Sequence, residues 1–133
     1  MATQRDVRRI ALALAGAETA RNGFAFGVRR KGKLKEFVWV WMERVDPKKA
    51  RVPNAGVIAA RVANLDERAR LIAEHPTVLF TEPHYEGFPA VLVRLDVVGI
   101  PQLKALISEA WCCQAPVDLL PPKTRRRPPS RST

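Results

Sequence analysis

Phe24-Ala25-Phe26-Gly27-Val28-Arg29-Arg30-Lys31-Gly32-Lys33-Leu34-Lys35-Glu36-Phe37-Val38-Trp39-Val40-Trp41-Met42 is the stretch that decides the architecture. Phe24, Phe26 and Val28 alternate with small residues as in a half-buried strand, and the chain then enters a polar turn around Gly32. This pattern predicts a β-hairpin. Its return strand, Phe37 to Met42, is apolar on both sides, with Phe37, Trp39 and Trp41 on one and Val38, Val40 and Met42 on the other. A strand apolar on both sides belongs in the middle of a sheet.

Downstream, Arg44 to Gly56 reads as a polar connection containing Asp46-Pro47 and Pro53-Asn54, after which Val57 to Val62 resumes as strand. Asn64 is a good N-cap with Glu67 three residues on, and Leu65, Ala69 and Ile72 share a helical face until Pro76 forbids continuation. The spacing predicts a helix over about 65–75. Val78 to Phe80 is a short apolar strand, and Val91, Val93 and Leu95 alternate as another, with Pro83 and Gly87-Phe88-Pro89 marking an irregular loop between them. Pro101 opens a last helix whose stripe is Leu103, Leu106, Ile107 and Ala110.

Upstream, Thr3 and Asp6 have capping-box spacing, Val7, Ile10, Ala11 and Leu14 recur on one helical face, and Gly16 suits the C′ position. The order α-β-β-β-α-β-β-α implies an α+β fold, a small antiparallel sheet with helices mainly on one side.

At 133 residues, 47% apolar and 27% charged, the chain has the size and composition of one globular domain. Lys and Arg number 23 against 13 acids, a net charge of +10 that favours polyanionic partners. Lys123, Arg125, Arg126, Arg127 and Arg131 lie after Pro121 with no acid among them. That Pro/Arg-rich segment has no large apolar residue to bury, so a single domain over 1–120 followed by a disordered basic tail over 121–133 is expected. No apolar run approaches the roughly 18 residues of a membrane span. Arg5, Arg8 and Arg9 before Ile10 to Ala17 imitate a secretory signal, but the capped amphipathic helix accounts for more of these residues. A cytoplasmic protein is expected, its oligomeric state open.

Reactive groups are sparse. Glu82, His84 and Glu86 alternate, but a zinc site gathers three or four ligands, and Pro83 interrupts the extended backbone that would put these on one side. His75 falls in the last turn of a helix, where it answers the dipole. The adjacent Cys112 and Cys113 stand about 3.8 Å apart at Cα, too close for an ordinary disulfide, and read as helix-packing thiols. Ser108 has no Gly-x-Ser-x-Gly elbow, and no glycine-rich phosphate cradle exists. No enzyme activity, cofactor or metal is predicted. Trp39 and Trp41 share a sheet side by their spacing, so both are buried or both displayed.

What remains is the grouping of cations on two connections. Arg29, Arg30, Lys31, Lys33 and Lys35 form one group, and Arg44, Lys48, Lys49 and Arg51 the other. Long cationic side chains on protruding turns reach phosphates and release counterions, which produces sequence-independent affinity. The expectation is that two basic hairpins straddle a phosphate backbone, aided by Arg125, Arg126 and Arg127. The plain alternative is solvated charge that keeps the turns exposed.

The run Glu82-Pro83-His84-Tyr85-Glu86-Gly87-Phe88-Pro89 followed by Ala90 to Leu95 resembles the MmcQ/YjbR family, whose members carry a P-H-Y-x-G-[YF]-P segment before an apolar strand ending in Arg-Leu. The likeness extends from the first helix to Ala115-Pro116, with Ala15 where the family has proline. It implies a small α+β "double wing" domain labelled DNA-binding by prediction, and His84, Tyr85, Gly87, Pro89 and Arg94 as motif residues. Gly87 and Pro89 would enforce the turn, and Tyr85 would anchor it by packing and one hydrogen bond. The expected function is weakly sequence-specific, non-enzymatic DNA binding. The alternatives are a protein-interaction adaptor that holds an acidic or extended peptide, and an enzyme centred on His84.

Overall fold

The computed structural model describes residues 1–21 and 23–120. The expected tail, with Arg125, Arg126 and Arg127, lies outside the described residues. The described chain runs α1 (Gln4–Leu12), β1 (Ala17–Thr19), β2 (Ala25–Arg30), β3 (Lys33–Glu43), β4 (Val52–Arg61), α2 (Leu65–Glu74), β5 (Leu79–Phe80), β6 (Ala90–Arg94) and α3 (Ile100–Gln114). Every strand pairing is antiparallel, in the order β1-β2-β3-β4-β6-β5, so β3 is interior as expected. The α+β reading and its element order stand, with one short edge strand, β1, added before the hairpin.

Local chemistry explains the helix ends. Thr3 and Asp6 form the capping box of α1, and Val7, Ile10 and Ala11 are its buried face. Gly16 does have φ +71°, yet α1 already ends at the Ala13 cap, so Gly16 serves the turn into β1 and not a helix C′ position. The Asn64 side chain accepts from the Glu67 amide to open α2, and His75 caps its end before Pro76. α3 starts with proline in its first turn and buries Leu103, Leu106, Ile107 and Ala110 as read from the sequence.

All three helices pack on one side of the sheet. Val7, Phe26, Val28, Phe37, Ile58, Val91, Val93, Leu103 and Ile107 meet in that main core, and Leu71 and Ile72 of α2 lie against it. Each fully buried Phe, Leu or Ile of this kind contributes roughly 1.5–3 kcal/mol relative to exposure. The expected α2 face is displaced: Leu65 is 41% exposed and no α2 residue is fully buried, because Leu71 and Ile72 make the contact.

Two irregularities move side chains from their expected sides. Phe26 pairs with Val38 while Gly27 pairs with Glu36, so Phe37 is an extra residue on β3. This bulge turns Phe37 into the helix-side core, and Trp39 and Trp41 remain together on the other side without it. In β4, Val40 pairs with Ile58 but Trp41 with Asn54. Pro53-Asn54 is therefore strand and not turn, which a proline tolerates at the margin of a bulge where no ladder N–H is required.

The helix-free side carries a second cluster of Val57, Ala59, Tyr85, Ala90 and Leu92, with Trp39, Trp41 and Phe80 half-buried against it. Among the described residues, the 81–89 connection, with its 3-10 turn Pro83–Tyr85, folds over this side.

Candidate nucleic-acid interface

β2 and β3 are joined by Lys31 and Gly32, both at positive φ (53° and 80°), the two-residue hairpin turn whose twist matches the flanking strands. The ladder runs to the tip: Arg30 faces Lys33, Arg29 faces Leu34 and Val28 faces Lys35. Alternation along the strands puts Arg30, Lys33 and Lys35 on the side of Val28, and Arg29 on the other. Arg30, Lys31, Lys33 and Lys35 alone line a shallow open depression of about 470 Å³. Arg29 is partly neutralised, its Nε lying 3.4 Å from Glu18 Oε2. A cation directly across from another cation weakens a strand pair. Arg30 opposite Lys33 is thus a local conflict of the kind found where function outweighs stability.

The second cationic group is built differently. Arg44 Nη1 donates to the Lys49 carbonyl at 2.8 Å and to that of Pro47 at 3.4 Å, tying the 44–51 connection together. Arg51 Nη1 donates to the Met42 carbonyl at 2.8 Å and lies 3.3 Å from Glu82 Oε2, both side chains about four-fifths buried. Arg51 thus bonds across to another segment, Arg44 is exposed but tied within its own connection, and Lys48 and Lys49 are exposed as well. The structure does not bring the two groups together. The two connections leave opposite ends of β3, whose eleven residues separate them by about 33 Å.

The base of the basic ribbon instead neighbours the end of the described chain. A side chain at Gly16 would come within 3.0 Å of Leu119 Cδ1 and 3.5 Å of Val28 Cγ2. Leu119 therefore lies next to Val28, two residues before Arg30 and on its side of the ribbon. The five cations of 121–133 follow directly after Leu120.

The motif residues form the cover of the helix-free side. Tyr85 is buried, and its hydroxyl accepts from Trp39 Nε1 at 3.0 Å, which with the packing is the anchoring role read from the motif. Burial first, with Glu82 adding to it, pushes the Tyr85 phenol up despite the Trp39 donor. Gly87 has φ +79°, and the Pro89 carbonyl accepts the Val62 amide at 3.0 Å. Arg94 stands over Phe80 at 4.1 Å, and exposed His84 tilts against Tyr85 at 5.6 Å.

Glu82 is engaged by Trp41 Nε1 at 3.1 Å and by Arg51, so it does not share a ligand set with His84. Among the described residues no three His, Cys, Asp or Glu side chains converge. Cys112 and Cys113 are free thiols, half-buried, and burial pushes both up, which suits packing and not nucleophilic attack.

Two arginines were invisible as site residues. Arg68 Nη1 reaches the carbonyls of Tyr85, Phe88 and Ala90 at 2.8, 2.9 and 3.4 Å and clamps the loop. The Arg61 guanidinium stands 5.0 Å over the Phe88 ring, and its buried Nε has no hydrogen-bond partner among the described residues. The alternation Val57, Ala59, Arg61 is the one sequence signal that would have put Arg61 on the Trp39 side.

No family model matches the chain. No solved structure matches it either. Over 68 residues it is 44% identical to an uncharacterized protein of Mycobacterium bovis and to uncharacterized proteins of two strains of Mycobacterium tuberculosis. That stretch is 51% of this chain and 53% of each relative, so the chain spans about half the length of the curated relatives it matches.

Proposed function

We propose that this chain binds the phosphate backbone of DNA through the β2–β3 ribbon and the basic segment 121–133, with little sequence preference and no chemical step. The supporting observation is the depression lined by Arg30, Lys31, Lys33 and Lys35, four cations on one ribbon with no carboxylate in its lining. Such a surface gains little folding stability from its own charges and offers phosphates several donors at once. The described chain ends near Val28, with Leu119 beside it, and the sequence that follows is rich in cations. Lys48 and Lys49, at the far end of β3, are left out of this interface.

Titration of a labelled blunt duplex at several salt concentrations tests the reading. With about six cations on phosphates, log K falls with log salt at a slope near −5, and Kd lies around 10⁻⁴ to 10⁻⁶ M at physiological salt. A salt-independent response removes the proposal.

A further inference from the structure

Above the helix-free side, Trp39, Tyr85 and Phe88 meet nearly edge to face. Their ring centroids lie 6.2 Å apart at 61° for Trp39 and Phe88, and 6.0 Å apart at 68° for Tyr85 and Phe88. With His84 they line an open cleft of about 320 Å³. That is the small end of the range for ligand sites, roughly 300–1,000 Å³, and suits one flat ring system better than a whole cofactor.

The polar groups around the cleft narrow the ligand further. The Trp39 N–H is already given to Tyr85, so Trp39 offers its apolar surface and not its donor. Arg61 stands over Phe88, and no described residue gives it an ion pair or hydrogen bond. An ammonium ligand entering beside Arg61 would meet like charge. A neutral aromatic ring carrying a phosphate meets apolar walls, with the Arg61 guanidinium over the neighbouring Phe88.

The geometry points to a site for an unpaired nucleobase, packed against Phe88 and Trp39 with its phosphate toward Arg61. This rests on the reading of the ribbon as a backbone contact and extends it to single strands.

The test compares the full chain's affinity for a labelled twelve-nucleotide thymidine strand with that for a twelve-unit abasic deoxyribose-phosphate strand of equal charge. Base stacking on aromatic side chains predicts about tenfold tighter binding of the thymidine strand. Phe88→Ala, at a ring 40% exposed, abolishes the difference and leaves blunt-duplex binding unchanged, while Phe88→Tyr retains it. Equal affinity of the native chain for both strands, or a difference that survives Phe88→Ala, overturns the site. If both strands still bind with a steep salt slope, the base site alone falls. If no nucleic acid binds at any salt, the backbone reading falls with it.

Discussion

The Trp39 indole N–H donates to the Tyr85 hydroxyl at 3.0 Å, joining the middle of the interior strand to a loop 46 residues downstream. Half-buried Trp39 and buried Tyr85 are each other's polar partner, so neither can be removed without stranding the other. Tyr85→Phe leaves the indole N–H without its acceptor and is expected to lower unfolding free energy by about 1–2 kcal/mol, measured by urea denaturation.

The same residue gives the protein an alkaline liability. The Tyr85 phenol is raised by burial, so the unfolded chain releases this proton first, near its ordinary value of 10.0. Stability from this group is complete below that pH and declines as pH climbs toward the higher folded value. Cys112 and Cys113 act with the same sign from about their ordinary 9.0. Unfolding free energy measured from pH 8 to 11 should therefore fall, and less steeply for Tyr85→Phe; identical slopes would show that Tyr85 does not titrate differently on folding.

Charge at the ribbon opposes strand pairing, and on the proposed reading it supports binding. Lys33→Gln with Lys35→Gln should leave the domain as stable or up to about 1 kcal/mol more so, since the cation opposite Arg30 is gone. The salt slope for duplex should drop by nearly 2, about 0.9 per lost phosphate contact. Thermal melts and anisotropy titrations on one sample check both halves.

The far connection should behave in the opposite way. Arg51→Ala strips a donor from the Met42 carbonyl and the cation beside Glu82, and is expected to cost about 1–3 kcal/mol. Lys48→Ala and Lys49→Ala, exposed and away from any such feature, should stay within about 0.5 kcal/mol. None of the three should alter the salt slope for duplex binding, and a change at Lys48 or Lys49 would relocate the interface to this end.

Gly27→Ala tests the bulge. A Cβ at this position falls 2.8 Å from the Lys35 carbonyl oxygen and 2.9 Å from Leu34 Cγ, so backbone has to move. The expected loss is at least about 2 kcal/mol, with chemical-shift changes that reach Phe37. A variant of unchanged stability would mean that the pairing of Gly27 with Glu36 is not held in solution.

The sequence carried most of the fold because helix caps and stripes are local. Thr3 with Asp6, Asn64 with Glu67, and the Leu103-to-Ala110 stripe each declare themselves within a few residues. β1 was hidden because Ala17–Thr19 is too short to show a period. Phe37 was misassigned because a bulge adds a residue without changing composition, and the start of β4 because Pro53-Asn54 mimics a turn. For the site, the cations themselves were plain. What each is bonded to was not: Arg44, Arg51 and Arg68 are committed to carbonyls that come near only once the chain has folded. Separation of the two cationic groups follows from the β-β-β order itself, because successive hairpins of a meander turn at opposite ends.

Arg68 also links two segments mechanically. α2 has no fully buried residue to pin it, yet its arginine clasps the carbonyls that shape the aromatic cleft. When α2 lifts away from the domain, the 85–90 backbone loses its clasp in the same event. Amide protons of the two segments should then exchange with solvent at a shared rate, tying the shape of the cleft to how firmly α2 is docked.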